Sequence, residues 1–286
     1  MAVNENSVLA HVQRHLFPYI LLSVLILINI PVFKELIGDW VRDGNYSHGF
    51  LVIPISIFLF YRRRKDLAFP TPTCRSGLVL FVFGCVGLIF GVAATEFFTT
   101  RFSLVLAVSG LGLYYLGAPN FRKVWFAFFF LLFMIPIPAV IYYSATMPMQ
   151  LFASKTTSSI LQIIGVPSYR EGNIIYLPAY TLEVSEACSG LRSLATLLAL
   201  SALLGYVTLT GKGRPLILFL SAVPIAIAVN IFRLLFTAVG AYAISPRIAE
   251  DFLHELSGIL VFVIALILMI ILSGLLKWER NPSQPS

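Results

Sequence analysis

The chain has 286 residues, of which 58% are hydrophobic and 12% charged. A soluble domain carries about 25% charged residues, so lipid is the only solvent left for so much apolar surface, and neither a water-soluble fold nor a sizeable second soluble domain is expected. The net charge of +7 sits in short loops between apolar runs, as in polytopic membrane proteins, which excludes nucleic-acid binding as the source of the basic excess. Three scattered cysteines, Cys74, Cys85 and Cys188, have no CxxC spacing and make no disulfide framework. No metal cluster and no cofactor are expected.

A bilayer crossing needs about 20 apolar residues. In chain order, the apolar runs predict spans at Leu16–Phe33, Phe50–Tyr61 (reaching back towards Tyr46), Ser76–Ala94, Phe102–Ala118, Val124–Tyr143 with breaks at Pro136 and Pro138, Cys188–Leu209, Pro215–Phe236 and His254–Leu276. The first run lacks a cleavage site and reads as a retained helix. Between the fifth and sixth spans, Met149–Gly165 has apolar residues at helical spacing around Lys155, Thr156, Thr157 and Ser158, which predicts a short interfacial helix. Tyr169–Glu186 follows, with β-formers on both sides of Pro178-Ala179, and predicts a β-hairpin. The expected fold is an all-α polytopic membrane protein of about eight transmembrane helices, with the interfacial helix and hairpin outside the cytoplasm before the sixth. Residues 1–15 and 277–286 are expected as cytoplasmic tails around a membrane domain at 16–276.

Basic residues set the orientation. With the N-terminus inside, twelve fall on the cytoplasmic side, among them Arg62, Arg63, Arg64, Lys65, Arg122, Lys123, Lys212 and Arg214, and six on the other. Both termini then lie in the cytoplasm and the long loop faces outward.

Ionisable groups inside spans cost about 2.5–3.5 kcal/mol each on the insertion scale and mark function by default. Cys188 opens the sixth span. A helix N-terminus favours the thiolate, and Arg192, one turn deeper on the same face, favours it further. Arg233 lies near the outer end of the seventh span, with Asn230 one turn away as a polar lining. His254 opens the eighth span, and its ordinary pKa of about 6.5 suits general acid–base work. Each of the three has an ordinary explanation: a small buried thiol, a snorkelling arginine, an interfacial histidine. All three, however, fall at one depth, at the outer mouth of the bundle. Together they suit acyl transfer, with the thiolate attacking a peptide carbonyl, the histidine protonating the leaving amine and the arginine stabilising the oxyanion. Glu186 belongs to the cysteine motif, and His48 is a second-tier candidate for the same mouth.

At these residues the chain resembles the exosortase/archaeosortase family. The resemblance rests on Glu186-Ala187-Cys188-Ser189-Gly190-Leu191-Arg192, on Asn230-Ile231-Phe232-Arg233, on His254 followed by Gly258, and on Tyr46-Ser47-His48-Gly49-Phe50-Leu51-Val52. It runs from about Tyr46 to Leu276. It implies a polytopic enzyme of the inner membrane, analogous in chemistry to sortases but unrelated in fold. Its substrates are secreted proteins ending in a short motif such as Pro-Glu-Pro, one transmembrane helix and a basic cluster. By resemblance Cys188 is the nucleophile, Arg233 the transition-state stabiliser and His254 the acid–base, with Glu186, Arg192, Asn230 and His48 in supporting or substrate-binding places. Bacterial members accompany exopolysaccharide production. The hairpin before Cys188 is placed to cover the site or guide the peptide.

Other classes remain open to the sequence. A polytopic transporter needs polar groups or broken helices at mid-membrane; Pro136, Pro138 and Pro224 supply breaks, but no acidic residue accompanies them. A non-enzymatic component of exopolysaccharide export predicts that no substrate accumulates uncleaved when the gene is lost. A thiol acyltransferase predicts a lipid, not a peptide, on the cysteine.

Overall fold

The computed structural model describes residues 5–178, 180–184, 194–211, 213–244 and 252–278, with side chains from residue 17 onward and, in the last helix, for residues 258–277. The chain forms two compact units, Met1–Pro136 and Ile137–Ser286.

In the first unit α1 (Glu5–Ile28) meets α2 (Ile30–Arg42). Pro31 in the first turn of α2 has no N–H to continue the ladder, and the Asn29 amide turns back to the Leu25 carbonyl at 2.8 Å. The two helices are bent by 62° there, where one straight span over Leu16–Phe33 was expected. α2 buries Val32, Leu36 and Trp40, one residue per turn. α3 (Gly49–Arg63) buries Gly49, Val52, Ser56 and Leu59 at the same spacing.

α4 (Arg75–Ala93) and the first half of α5 (Phe97–Phe130) make a close antiparallel pair. Gly77, Gly84 and Gly91 lie against Tyr114, Ala107 and Thr100 respectively; a Cβ at Gly84 would come 2.5 Å from the Ala107 backbone nitrogen. Small residues let helix backbones approach where lipid supplies no hydrophobic drive. The Glu96 carboxylate caps α5, accepting from Phe98 N–H at 3.1 Å and from Thr99 N–H. α5 breaks at Gly117 (φ 72, ψ 159), a conformation open to glycine and followed by Pro119. The Phe128 ring then lies against Gly112, so the chain after the break folds back along the chain before it. The expected fourth and fifth spans are therefore two arms of one hairpin.

At the Gly117 end, Asn120 is fully buried and bonds both the N–H (3.0 Å) and the carbonyl (2.8 Å) of Ala68. Lys123 donates to the Asp66 carbonyl at 2.6 Å. The basic clusters at Arg62–Lys65 and Arg122-Lys123 thus share one end of this unit. After a 3-10 turn at Leu131–Met134, Pro136 and Pro138 stop the helix, and α6 (Ala139–Ile163) starts anew. The fifth span does not run on to Tyr143 as expected, and the helix expected from Met149 starts ten residues earlier.

In the second unit, β1 (Tyr169–Glu171), β2 (Ile174–Leu177) and β3 (Tyr180–Glu183) form an antiparallel sheet in the order β1-β2-β3. The expected hairpin is its β2–β3 half. Ile175, Leu177, Leu182 and Val184 pack on Ala153 and Leu161 of α6 and on Leu234 and Ala238 of α8 (Gly213–Ala243). A second core joins α7 (Leu194–Thr208), α8 and α9 (Phe252–Trp278) through Leu197, Leu218, Ala222, Ala226, Val229, Val261, Ala265 and Met269.

Among the described residues, Arg75–Ala93, Phe97–Met134, Gly213–Ala243 and Gly258–Lys277 are long and apolar enough to cross a membrane, and the bent α1–α2 pair makes a fifth candidate. The chain is an all-α polytopic membrane protein with one small sheet.

Candidate functional site

α8 carries the two most informative polar groups. Its Leu218–Val229 row packs on α7 and α9, while Leu234 and Ala238 pack on α6 and the sheet. Asn230 and Arg233 fall where one packing face gives way to the other. Arg233 is 7% exposed. A guanidinium so enclosed in a membrane helix is costly unless something uses its charge. Asn230 is wholly buried, and among the described residues neither its Oδ1 nor its Nδ2 has a hydrogen-bond partner.

A buried amide without partners costs about 1–3 kcal/mol relative to an apolar group of similar shape. Asn230→Leu is therefore expected to raise the thermal midpoint of the detergent-solubilised protein. A fall in that midpoint would mean that the amide is structurally satisfied.

Two side-chain contacts set the register of the helices. Thr208 Oγ1 lies 2.7 Å from Ser273 Oγ, and Ser221 Oγ donates to Met269 Sδ at 3.8 Å. At about 1.5 Å per helical residue, Arg233 stands about 18 Å from Ser221 along α8, and the backbone of residue 254 about 22 Å from Met269 along α9. By the same count Leu194, at the start of α7, stands about 21 Å from Thr208. Ser273 lies four residues, about 6 Å, beyond Met269, so Arg233, the backbone of residue 254 and the entry to α7 lie at one end of the unit, their levels within about 7 Å of one another. The side chain of His254 is outside the described residues, as are Glu186, Cys188 and Arg192 altogether. The chain on both sides of the cysteine motif is described. Val184 shares a core with Leu234, the neighbour of Arg233, and Leu194 packs on the α7–α9 core.

His48 belongs to the first unit and helps to build the turn between α2 and α3. Its Nε2 lies 3.1 Å from the Phe133 carbonyl, beside the Trp40 indole N–H, which donates to the Met134 carbonyl at 2.9 Å. Gly49 is required here, because a Cβ would overlap the Trp40 ring. These bonds tie the Tyr46–Val52 motif to the 3-10 turn after α5.

Burial holds the His48 pKa below its usual 6.5, against the opposing effect of the Phe133 carbonyl. The unfolded chain thus binds the proton more tightly than the folded one. The stability from neutral His48 is complete above pH 6.5 and is lost as pH falls through the lowered folded value. The thermal midpoint is expected to drop between pH 7.5 and pH 5, and to drop less in His48→Gln; equal drops would remove His48 from the account.

Sequence reasoning missed one pair. Arg101, counted as a loop charge, is 4% exposed and bonds Asp39 at 2.6 Å. The pair, with the arginine buried and the carboxylate partly exposed, joins α2 to α5. Nothing in the sequence marks it, since a charge at the start of a span reads equally as a loop residue.

A family profile described as transmembrane exosortase matches residues 40–271. The chain belongs to that family. No curated protein and no solved structure matches it. The exosortase match begins inside α2 and ends inside α9. It takes in the His48 turn, the small sheet, the Cys188 motif, Arg233 and His254, and so covers both units.

Proposed function

We propose that this exosortase is a membrane cysteine transpeptidase or protease that removes the C-terminal sorting signal of secreted proteins at the outer face of the cytoplasmic membrane. The observation that carries the proposal is that Arg233, the backbone of residue 254 and the entry to α7 lie at one end of the unit in a chain of the exosortase family. Chain length supports the place of the nucleophile. Cys188 is four residues from Val184, and four extended residues span at most about 14 Å. Val184 itself packs beside Leu234.

The Cys188 thiol gives its proton to His254, and the thiolate attacks the scissile carbonyl carbon. A carbon–sulfur bond forms and the carbonyl oxygen becomes an oxyanion facing Arg233. Collapse of this intermediate breaks the carbon–nitrogen bond, and His254 returns the proton to the leaving amine. The helical tail departs with that amine, and the secreted part remains as a thioester on Cys188. An amine or water then attacks the thioester, completing transfer or hydrolysis. Eight spans with both termini in the cytoplasm are the arrangement that puts this chemistry outside and leaves the signal's basic tail inside.

Co-expression with a secreted protein ending in a short motif, an apolar helix and a basic cluster tests the proposal. The substrate should shorten by its helix and tail on a gel. A substrate that stays full length beside the well-expressed enzyme would contradict the proposal and favour a transporter or a non-enzymatic export component.

A further inference from the structure

The small sheet ends on an edge that no other strand covers among the described residues. Val184 N–H donates to the Asn173 carbonyl at 2.9 Å, and the register pairs Ile175 with Leu182 and Leu177 with Tyr180. Hydrogen-bonded and non-bonded pairs alternate along an antiparallel ladder. Tyr180, Leu182 and Val184 therefore turn their main-chain groups to β2, while Thr181 and Glu183 turn theirs away. β3 is the outer strand in the order β1-β2-β3, and both residues are exposed. Among the described residues neither makes a further hydrogen bond. An edge of this kind is a template for another strand.

We infer that β3 is the docking strand for the extended segment of the substrate that precedes its scissile bond. The inference rests on the proposed function and names the substrate-binding element of that site. Thr181 and Glu183 stand two residues apart, so each offers an N–H and a carbonyl at the spacing at which an extended peptide presents its own. Glu183 lies five residues before Cys188 in one continuous stretch. A peptide paired to β3 is thereby held beside the segment that carries the nucleophile. Pairing through the main chain also suits an enzyme whose substrates share little more than a short motif, since strand addition draws affinity from backbone groups. The opposite edge is a poorer template. There only Arg170 turns outward, and its guanidinium is bonded to the Gly172 carbonyl at 2.6 Å.

Proline separates this role from a structural one. Proline is tolerated on an edge strand where the missing N–H faced outward. Thr181→Pro removes an outward N–H and leaves the bonds to β2 in place, whereas Thr181→Ala keeps that N–H and removes only the side chain. With the full-length enzyme in nanodiscs and a purified signal-bearing protein, Thr181→Pro is expected to raise KM about three- to tenfold, the worth of one hydrogen bond. Thr181→Ala should raise KM less than Thr181→Pro does, and both should keep the wild-type thermal midpoint. A wild-type KM in Thr181→Pro at unchanged midpoint overturns the inference.

If Thr181→Pro unfolds, disulfide trapping decides. In a Cys188→Ala background carrying Thr181→Cys, single cysteines along the substrate should cross-link at alternate positions. Cross-links at every position, or at none, overturn the docking strand. A wild-type enzyme that leaves the substrate uncut sinks the proposed function itself; an active enzyme indifferent to the proline sinks only the strand.

Discussion

Alanine in place of Cys188 is expected to abolish release of the sorting helix, with kcat/KM falling at least about a thousandfold, the scale seen when a covalent nucleophile is removed. The substitution removes one sulfur atom from a segment whose flanks are fixed by Val184 in one core and Leu194 beside another. Expression and thermal midpoint should therefore stay near wild type. Serine should fail almost as completely, because a hydroxyl ionises far less readily than a thiol. The readout is substrate size on a gel with the enzyme level measured in the same membranes. Equal cleavage in wild type and Cys188→Ala would end the enzymatic reading at this residue.

Arg233→Ala is expected to lower kcat by about 10²–10³, as the loss of one oxyanion donor does. KM should change little if Arg233 meets the oxyanion as proposed, because that charge develops only in the transition state. Lysine keeps the charge but loses the planar fork of donors, so Arg233→Lys should recover part of the rate. The enclosure of Arg233 sharpens this test. If the guanidinium served only to hold the bundle, both variants would lower the thermal midpoint and leave the kcat of the folded fraction unchanged. Steady-state kinetics beside a melting curve separate the two roles.

Membrane helices are legible in the sequence where their composition alone defines them. α4, α8 and α9 coincide with the third, seventh and eighth apolar runs to within a few residues, apart from a longer C-terminal end of α8. The departures occur where the chain turns inside an apolar run. The bend at Asn29 needs one proline and one side-chain bond, and a hydropathy pattern does not register either. The fold-back at Gly117 needs a left-handed glycine facing the Pro72 carbonyl; the Gly117-Ala118-Pro119 sequence marks a break but not its direction. Pro136 and Pro138 were visible as breaks, yet only the structure shows that the helix stops at Phe130 and restarts at Ala139.

The candidate site was legible to the extent that single residues stand out against lipid. Arg233 and Asn230 did so because polar groups in an apolar helix are conspicuous, and both are buried. That Arg233 and residue 254 share a level follows from helix lengths and a register set by Ser221 and Met269, contacts that the sequence does not announce. Three further features needed coordinates. The Asp39–Arg101 pair joins residues far apart in the chain. The place of His48 in unit 1 depends on the backbone carbonyl of Phe133. Which residues of β3 turn their main-chain groups away from β2 depends on a ladder register that periodicity alone leaves open by one residue.

Acid quenching of the enzyme during turnover, followed by mass spectrometry of its peptides, tests the central claim most directly. The peptide containing Cys188 should carry the mass of the substrate's acyl portion, and hydroxylamine should remove it. An unmodified Cys188 in an enzyme that is turning over, or a lipid acyl group in place of the peptide, would contradict the account.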